Sequence, residues 1–193
     1  MLSSLPAFLF GALIVHQGDV HVHGHGALVI GAEATGRVEA QLDVPAESLW
    51  GFEYAPRTDA ERAAVLAAQN QLRAPGLLSF SQAAGCTLET VTISGLEPDA
   101  DADDHRGGHS HEKRDHVHGH DDDHHHGSDD HHGHQDISVR FQFWCASADD
   151  IDRIATTMFE AFERLQQLNV VYVDARRQAG FDLTPQETMY RLP

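Results

Sequence analysis

Residues 97–136 constrain the fold more than any other part of the chain. They hold thirteen Asp and Glu, twelve His and three basic residues (Arg106, Lys113 and Arg114), a net of −10 out of the formal −17 of the whole protein. Apart from Val117 the stretch has no large apolar side chain. Ordering backbone costs about 1–2 kcal/mol per residue, and a segment with no apolar period has nothing to bury against that cost. It is expected to be a disordered insertion between two strands. Whatever folds must be assembled from the chain on either side of it.

Those flanks carry regular patterns. Residues 20–31 read as a strand that opens in histidines and ends in Ala27-Leu28-Val29-Ile30. Val38, Ala40, Leu42 and Val44 alternate with Arg37, Glu39, Gln41 and Asp43, the period of a half-buried strand, and Gly36 suits a hairpin turn before it. Pro45 ends that strand. Thr58 with Glu61 forms a capping-box pattern for a helix that runs to Ala74-Pro75-Gly76. A strand follows over 86–96. After the insertion, Ile137, Val139, Phe141, Phe143 and Cys145 alternate as a further strand. Ser147 and Asp150 then suggest the cap of a second helix, whose apolar face would be Ile151, Ile154, Ala155, Met158, Phe159, Phe162 and Leu165. Val170–Val173, Phe181–Leu183 and Met189–Leu192 complete the pattern as short strands. The expected fold is α+β: a mostly antiparallel sheet with two helices packed on it. Its domain would be a single unit over 20–193, interrupted by the insertion at 97–136.

Residues 1–19 read as a leader. Leu5–Val15 has the length of a signal-peptide apolar core and is too short to span a membrane as a helix. No Lys or Arg precedes it and no well-placed A-x-A site follows, so a buried first strand is the competing reading. Cys86 and Cys145 are the only cysteines, and neither lies in a zinc-ribbon spacing. In an exported protein they would pair and close the base of the inserted loop; in a reducing compartment they would be two small buried apolar residues.

The acidic balance, with no basic patch, argues against nucleic acid and against an anionic membrane surface. It favours a cation. His21, His23 and His25 alternate, so on a strand they would share one face with neighbours about 6.6 Å apart, close enough for two imidazoles to converge on one ion. Gly24 and Gly26 would leave room beside them. The bland alternative is a solvated His-rich terminus. The insertion supplies His105, His109, His111, His116, His118, His120, His124, His125, His126, His131, His132 and His134 among paired aspartates. It can chelate several ions without fixed geometry, or serve only as a solubilising, pH-sensitive loop. Glu53, in Trp50-Gly51-Phe52-Glu53-Tyr54-Ala55-Pro56, could complete a His/carboxylate site or be an ordinary solvated glutamate. Trp50, Phe52 and Trp144 read as core or rim packing. Neutral imidazole suits zinc, copper and nickel alike. Because the ligands must be deprotonated, binding should weaken as pH falls through a histidine pKa of about 6.5. No serine-nucleophile motif, phosphate loop, dinucleotide fingerprint or HExxH is present. An enzyme is not expected, and a metal-dependent hydrolase is the weaker rival.

The run HVHGHGALVIGAEATGRVEAQLDVPAESLWGFEYAPRT resembles the opening of the ZrgA-type zinc uptake proteins, once a domain of unknown function. The likeness extends over about 20–192 and rests on the GFE-x-AP motif together with the His/Asp/Glu-rich insertion before a strand ending in Cys. Tyr54 stands where that family's motif usually has His, and the leader lacks its usual basic start. The resemblance implies a periplasmic protein that binds Zn2+ and assists a zinc importer or its solute-binding protein. The alternative is a buffer or store for zinc, nickel or copper without a transporter partner.

Overall fold

A computed structural model describes residues 22–96 and 135–193. The leader, His21 and all twelve histidines of the insertion lie outside the described residues, and so does the disorder expected of the insertion.

The alternating segments form the strands their period demands. β1 (His25–Ala32) and β2 (Arg37–Pro45) make an antiparallel hairpin through a turn at Gly36. β4 (Cys86–Ser94) and β5 (Asp136–Cys145) form a second hairpin, and the insertion leaves from its tip. With β7 (Gln167–Val173) and β8 (Gln178–Leu183) they build one six-stranded sheet in the order β4-β5-β2-β1-β7-β8. All its pairings are antiparallel except β1 with β7. One face is apolar and buried: Leu28 and Ile30, Val38, Ala40 and Leu42, Ile137, Val139 and Phe141, and Leu168, Val170 and Tyr172.

The layer over that face differs from expectation. Helix α2 (Asp59–Leu72) is present, with the full Thr58/Glu61 capping box, but it buries only Ala68 and Leu72 and leaves Leu66 exposed. A short helix α1 (Ala46–Trp50), not anticipated, precedes it directly after β2. The long second helix does not exist. Its residues form a 3-10 turn (Ala148–Asp150), the strand β6 (Arg153–Thr156) and one helical turn α3 (Met158–Ala161). β6 is the middle strand of a small sheet, flanked by β3 (Leu78–Phe80) and β9 (Met189–Arg191). The residues read as a helical face are nearly all buried, but by other means. Ile154 and Thr156 point inward at strand spacing, and Met158, Phe159, Phe162 and Leu165 follow through one turn and the loop after it. β-branched Ile154, Thr156 and Thr157 favour extended backbone, and the partners that fix it are distant in sequence. Phe80 of β3 meets Phe143 of β5 edge-on at 5.1 Å, and Phe181 of β8 stacks on Tyr190 of β9 at 3.9 Å, joining the two sheets. The fold is mixed and mostly antiparallel, as expected, but it is β-rich, and a small sheet takes the place intended for a helix.

Cys86 and Cys145 form a disulfide. They pair at the opposite end of the β4–β5 hairpin from Ser94 and Ser138, where the insertion departs. The bond therefore fastens the far end of the hairpin and not the base of the loop. The base is held by hydrogen bonds: Gln135 Nε2 donates to Gly95 O at 2.6 Å, and Ala46 N donates to Gln135 O at 2.8 Å. The hairpin is thus tied at both ends by residues outside 97–134. Replacing residues 97–134 by a short Gly/Ser linker is expected to leave a single cooperative thermal transition, followed by circular dichroism. Loss of that transition would show the insertion to be part of the fold.

Candidate metal centre

Val22–Gly24 does not form the start of a strand, as the alternation of the histidines suggested. β1 begins only at His25, and Val22–His25 is a turn closed by His25 N donating to Val22 O at 3.0 Å. Gly24, at φ +80°, makes that turn. A Cβ there would lie 3.0 Å from Arg164 O, so the glycine lets the segment before β7 approach and does not clear space for a ligand. Gly26 does the same, its missing Cβ 3.0 Å from Leu168 Cδ2. The Gly24 peptide is then fastened on both sides. Its N–H donates to the buried Ser48 Oγ of α1 at 3.0 Å, and its carbonyl accepts from Gln166 N at 2.6 Å and Gln167 N at 3.0 Å.

This clasp aims His23 at two glutamates. His23 Nε2 lies 3.3 Å from Glu53 Oε1, and its Nδ1 lies 3.7 Å from Glu47 Oε2. The imidazole is half exposed, while the two carboxylates are largely buried, at 16% for Glu53 and 19% for Glu47. Glu47 spends its other oxygen on Arg164, Nη1 to Oε1 at 3.0 Å. The guanidinium lies over Gly51, the left-handed residue ending α1, where a Cβ would come within 3.1 Å of Arg164 Nε. The separation of His23 Nε2 and Glu53 is long for a hydrogen bond. It is the distance of a direct ion pair if the imidazole is protonated, and it is also compatible with two donors on one zinc ion, which at bonds of about 2.0–2.1 Å and a tetrahedral angle would lie about 3.3–3.4 Å apart.

Of the residues singled out by sequence, then, the fold brings His23 and Glu53 together. His25 opens β1 on the face shared by Ala27 and Val29, away from the buried Gly26 and Leu28. Among the described residues no group of three His, Cys, Asp or Glu is gathered tightly enough to hold an ion. Glu47, Ser48 and Arg164 were not read from the sequence. Glu47 looked like one more polar residue in an unassigned stretch, and only the β2–α1 junction places it beside His23.

The remainder of the loop that carries Glu53 is a scaffold. Phe52 stacks on Tyr54 at 5.0 Å, Trp50 lies 6.3 Å from Phe52, and the Arg57 guanidinium sits 4.7 Å above the Tyr54 ring. Tyr54 Oη donates to Glu61 Oε1 at 2.9 Å, which commits that side chain to the start of α2. Trp144 is half exposed on β5, a rim position.

A family model for ZrgA family zinc uptake proteins matches residues 20–192. The chain belongs to the ZrgA family of zinc uptake proteins. No individual curated protein matches it significantly. The family is described by zinc uptake. Among the described residues no helix is long and apolar enough to cross a membrane.

The Glu61 cap gives this loop an acid sensitivity. The backbone N–H groups of Thr58 and Arg57 and the Tyr54 hydroxyl, all donating to its carboxylate, hold its pKa down to about 2, from an ordinary 4.5. A carboxyl that binds its proton more weakly when folded stabilises the fold above its unfolded pKa, and that contribution disappears as pH falls through about 2. Asp174, also lowered to about 2, acts in the same window: its burial works against the shift but is outweighed by hydrogen bonds from Arg176 and Arg177. Glu61→Gln is therefore expected to flatten, without abolishing, the loss of stability between about pH 4.5 and pH 2 in urea titrations. An unchanged pH profile would show that the cap contributes nothing.

Proposed function

We propose that this protein is a periplasmic zinc-capture protein that binds Zn2+ through histidine and assists uptake by a zinc importer or its solute-binding protein. Residues 1–19 are its leader, and 20–193 form the mature domain. The observation that carries the reading is the 3.3 Å approach of His23 Nε2 to Glu53 Oε1, in a member of a zinc uptake family. Zinc is the cargo of this site. His23 supplies neutral imidazole nitrogen and Glu53 a carboxylate oxygen, both ordinary zinc donors. His21, two residues before His23 in the sequence, and the histidines of the insertion are the candidates for further ligands.

Support for a working relation between site and insertion comes from the loop's base. Ala46 N donates to Gln135 O at 2.8 Å, and Ala46 is the neighbour of Glu47. The chain returning from the insertion is thus fastened to the first residue of α1, and ions gathered on the histidines of the insertion would be raised in effective concentration for the centre. The clasp around Gly24 has already met the ordering cost of the His23 backbone, which a free segment would meet only on binding, at about 1–2 kcal/mol per residue. Each 1.4 kcal/mol is about tenfold in affinity, so the folded centre should bind one ion tightly and the insertion several weakly.

Calorimetric titration with zinc separates the two. His23→Ala or Glu53→Gln is expected to remove the tightest event and leave the weak ones, and replacing 97–134 by a linker should do the reverse. A tightest event that survives His23→Ala and vanishes with the insertion would make the insertion the primary site.

A further inference from the structure

We infer that Glu47 and Arg164 are positioning residues that commit His23 to binding the ion through Nε2. The inference rests on the zinc reading of the His23–Glu53 pair. The lone pairs of the two ring nitrogens diverge, so a single ion cannot use both. Glu53 faces Nε2 and Glu47 faces Nδ1. An ion between Nε2 and Glu53 therefore lies across the ring from Glu47, and Glu47 cannot share it. Glu47 Oε2, at 3.7 Å, is a charge neighbour of Nδ1 and not its hydrogen-bond partner in this structure; with the ion bound, a closure of less than about 1 Å would let it receive the proton that the ring carries on Nδ1. A carboxylate behind a metal-bound imidazole fixes both tautomer and ring orientation and raises the basicity of the ligating nitrogen.

The second half of the device is Arg164. A carboxylate beside an open cation site would tend to swing onto the ion itself. Glu47 is restrained from this because its Oε1 is held by Arg164 Nη1 at 3.0 Å, leaving Oε2 toward the imidazole. The guanidinium has its own seat over Gly51, in space that any Cβ would invade. The same helix that carries Glu47 also carries Ser48, which fixes the Gly24 backbone beside His23. One turn of α1 thus sets both the position of the imidazole and its proton.

The test uses the full-length, disulfide-bonded protein. Zinc affinity of the tightest event is measured by competition with a chromophoric chelator. The His23 ring is followed by nitrogen-15 NMR with one equivalent of zinc, its signals assigned by their loss in His23→Ala. The wild type is expected to show Nε2 metallated and a slowly exchanging Nδ1–H. Glu47→Ala should weaken the tightest event about 10–100-fold and lose the protected Nδ1–H signal. Glu47→Gln keeps an acceptor oxygen and should recover most of both. Arg164→Met, at an exposed side chain that the core does not need, should weaken binding in the same direction by less. Wild-type affinity and an unchanged Nδ1–H signal in Glu47→Ala would overturn the inference, as would a loss in Glu47→Gln equal to that in Glu47→Ala. His23→Ala distinguishes the two levels: if it leaves the tightest event intact, the zinc reading itself fails and this inference fails with it.

Discussion

The clasp on the Gly24 peptide is the constraint on which the site depends. Its N–H is held by Ser48 on α1 and its carbonyl by the chain entering β7, so the turn before β1 is bound to two elements far from it in sequence. Without the clasp, His23 would belong to a free terminus, and its imidazole would meet Glu47 and Glu53 only by chance. With it, a half-exposed histidine faces two largely buried carboxylates. The clasp in turn requires the parallel pairing of β1 with β7, which packs closely because Gly24 and Gly26 lack side chains. Backbone packing at the start of β1, and not a ligand motif, is what brings His23 beside Glu47 and Glu53.

The way β2 ends brings α1 and the chain returning at Gln135 together. β2 passes directly into α1, which brings Glu47 to the site, and the backbone N–H of Ala46 donates to the chain returning from the insertion. The disulfide is at the other end of the β4–β5 hairpin. The two ends are thereby divided: one is covalently locked, at a typical stabilisation of about 2–4 kcal/mol, and the other is held by hydrogen bonds next to α1.

Much of the fold was legible in the sequence because it rests on local period. The alternation at Val38–Val44 and Ile137–Cys145 gives β2 and β5, Thr58 with Glu61 gives the start of α2, and the two cysteines do pair. What misled was period without context. Ile151 to Leu165 satisfies a helical spacing, yet β3 and β9 recruit Arg153–Thr156 into a strand, and neither partner is visible from within the segment. The same holds for the site. His23 and Glu53 were legible as residue types, but the alternation of His21, His23 and His25 suggested a strand face where a turn exists. Glu47 and Arg164, which are separated by more than a hundred residues in the chain, carried no local signal at all.

The most direct measurement is anomalous diffraction at the zinc edge from crystals grown with one equivalent of zinc. A single strong peak bridging His23 Nε2 and Glu53, with Glu47 behind the ring on Nδ1, is the expected result. A peak remote from His23, or none on the folded domain while zinc remains bound to the protein, would contradict it and assign capture to the insertion alone.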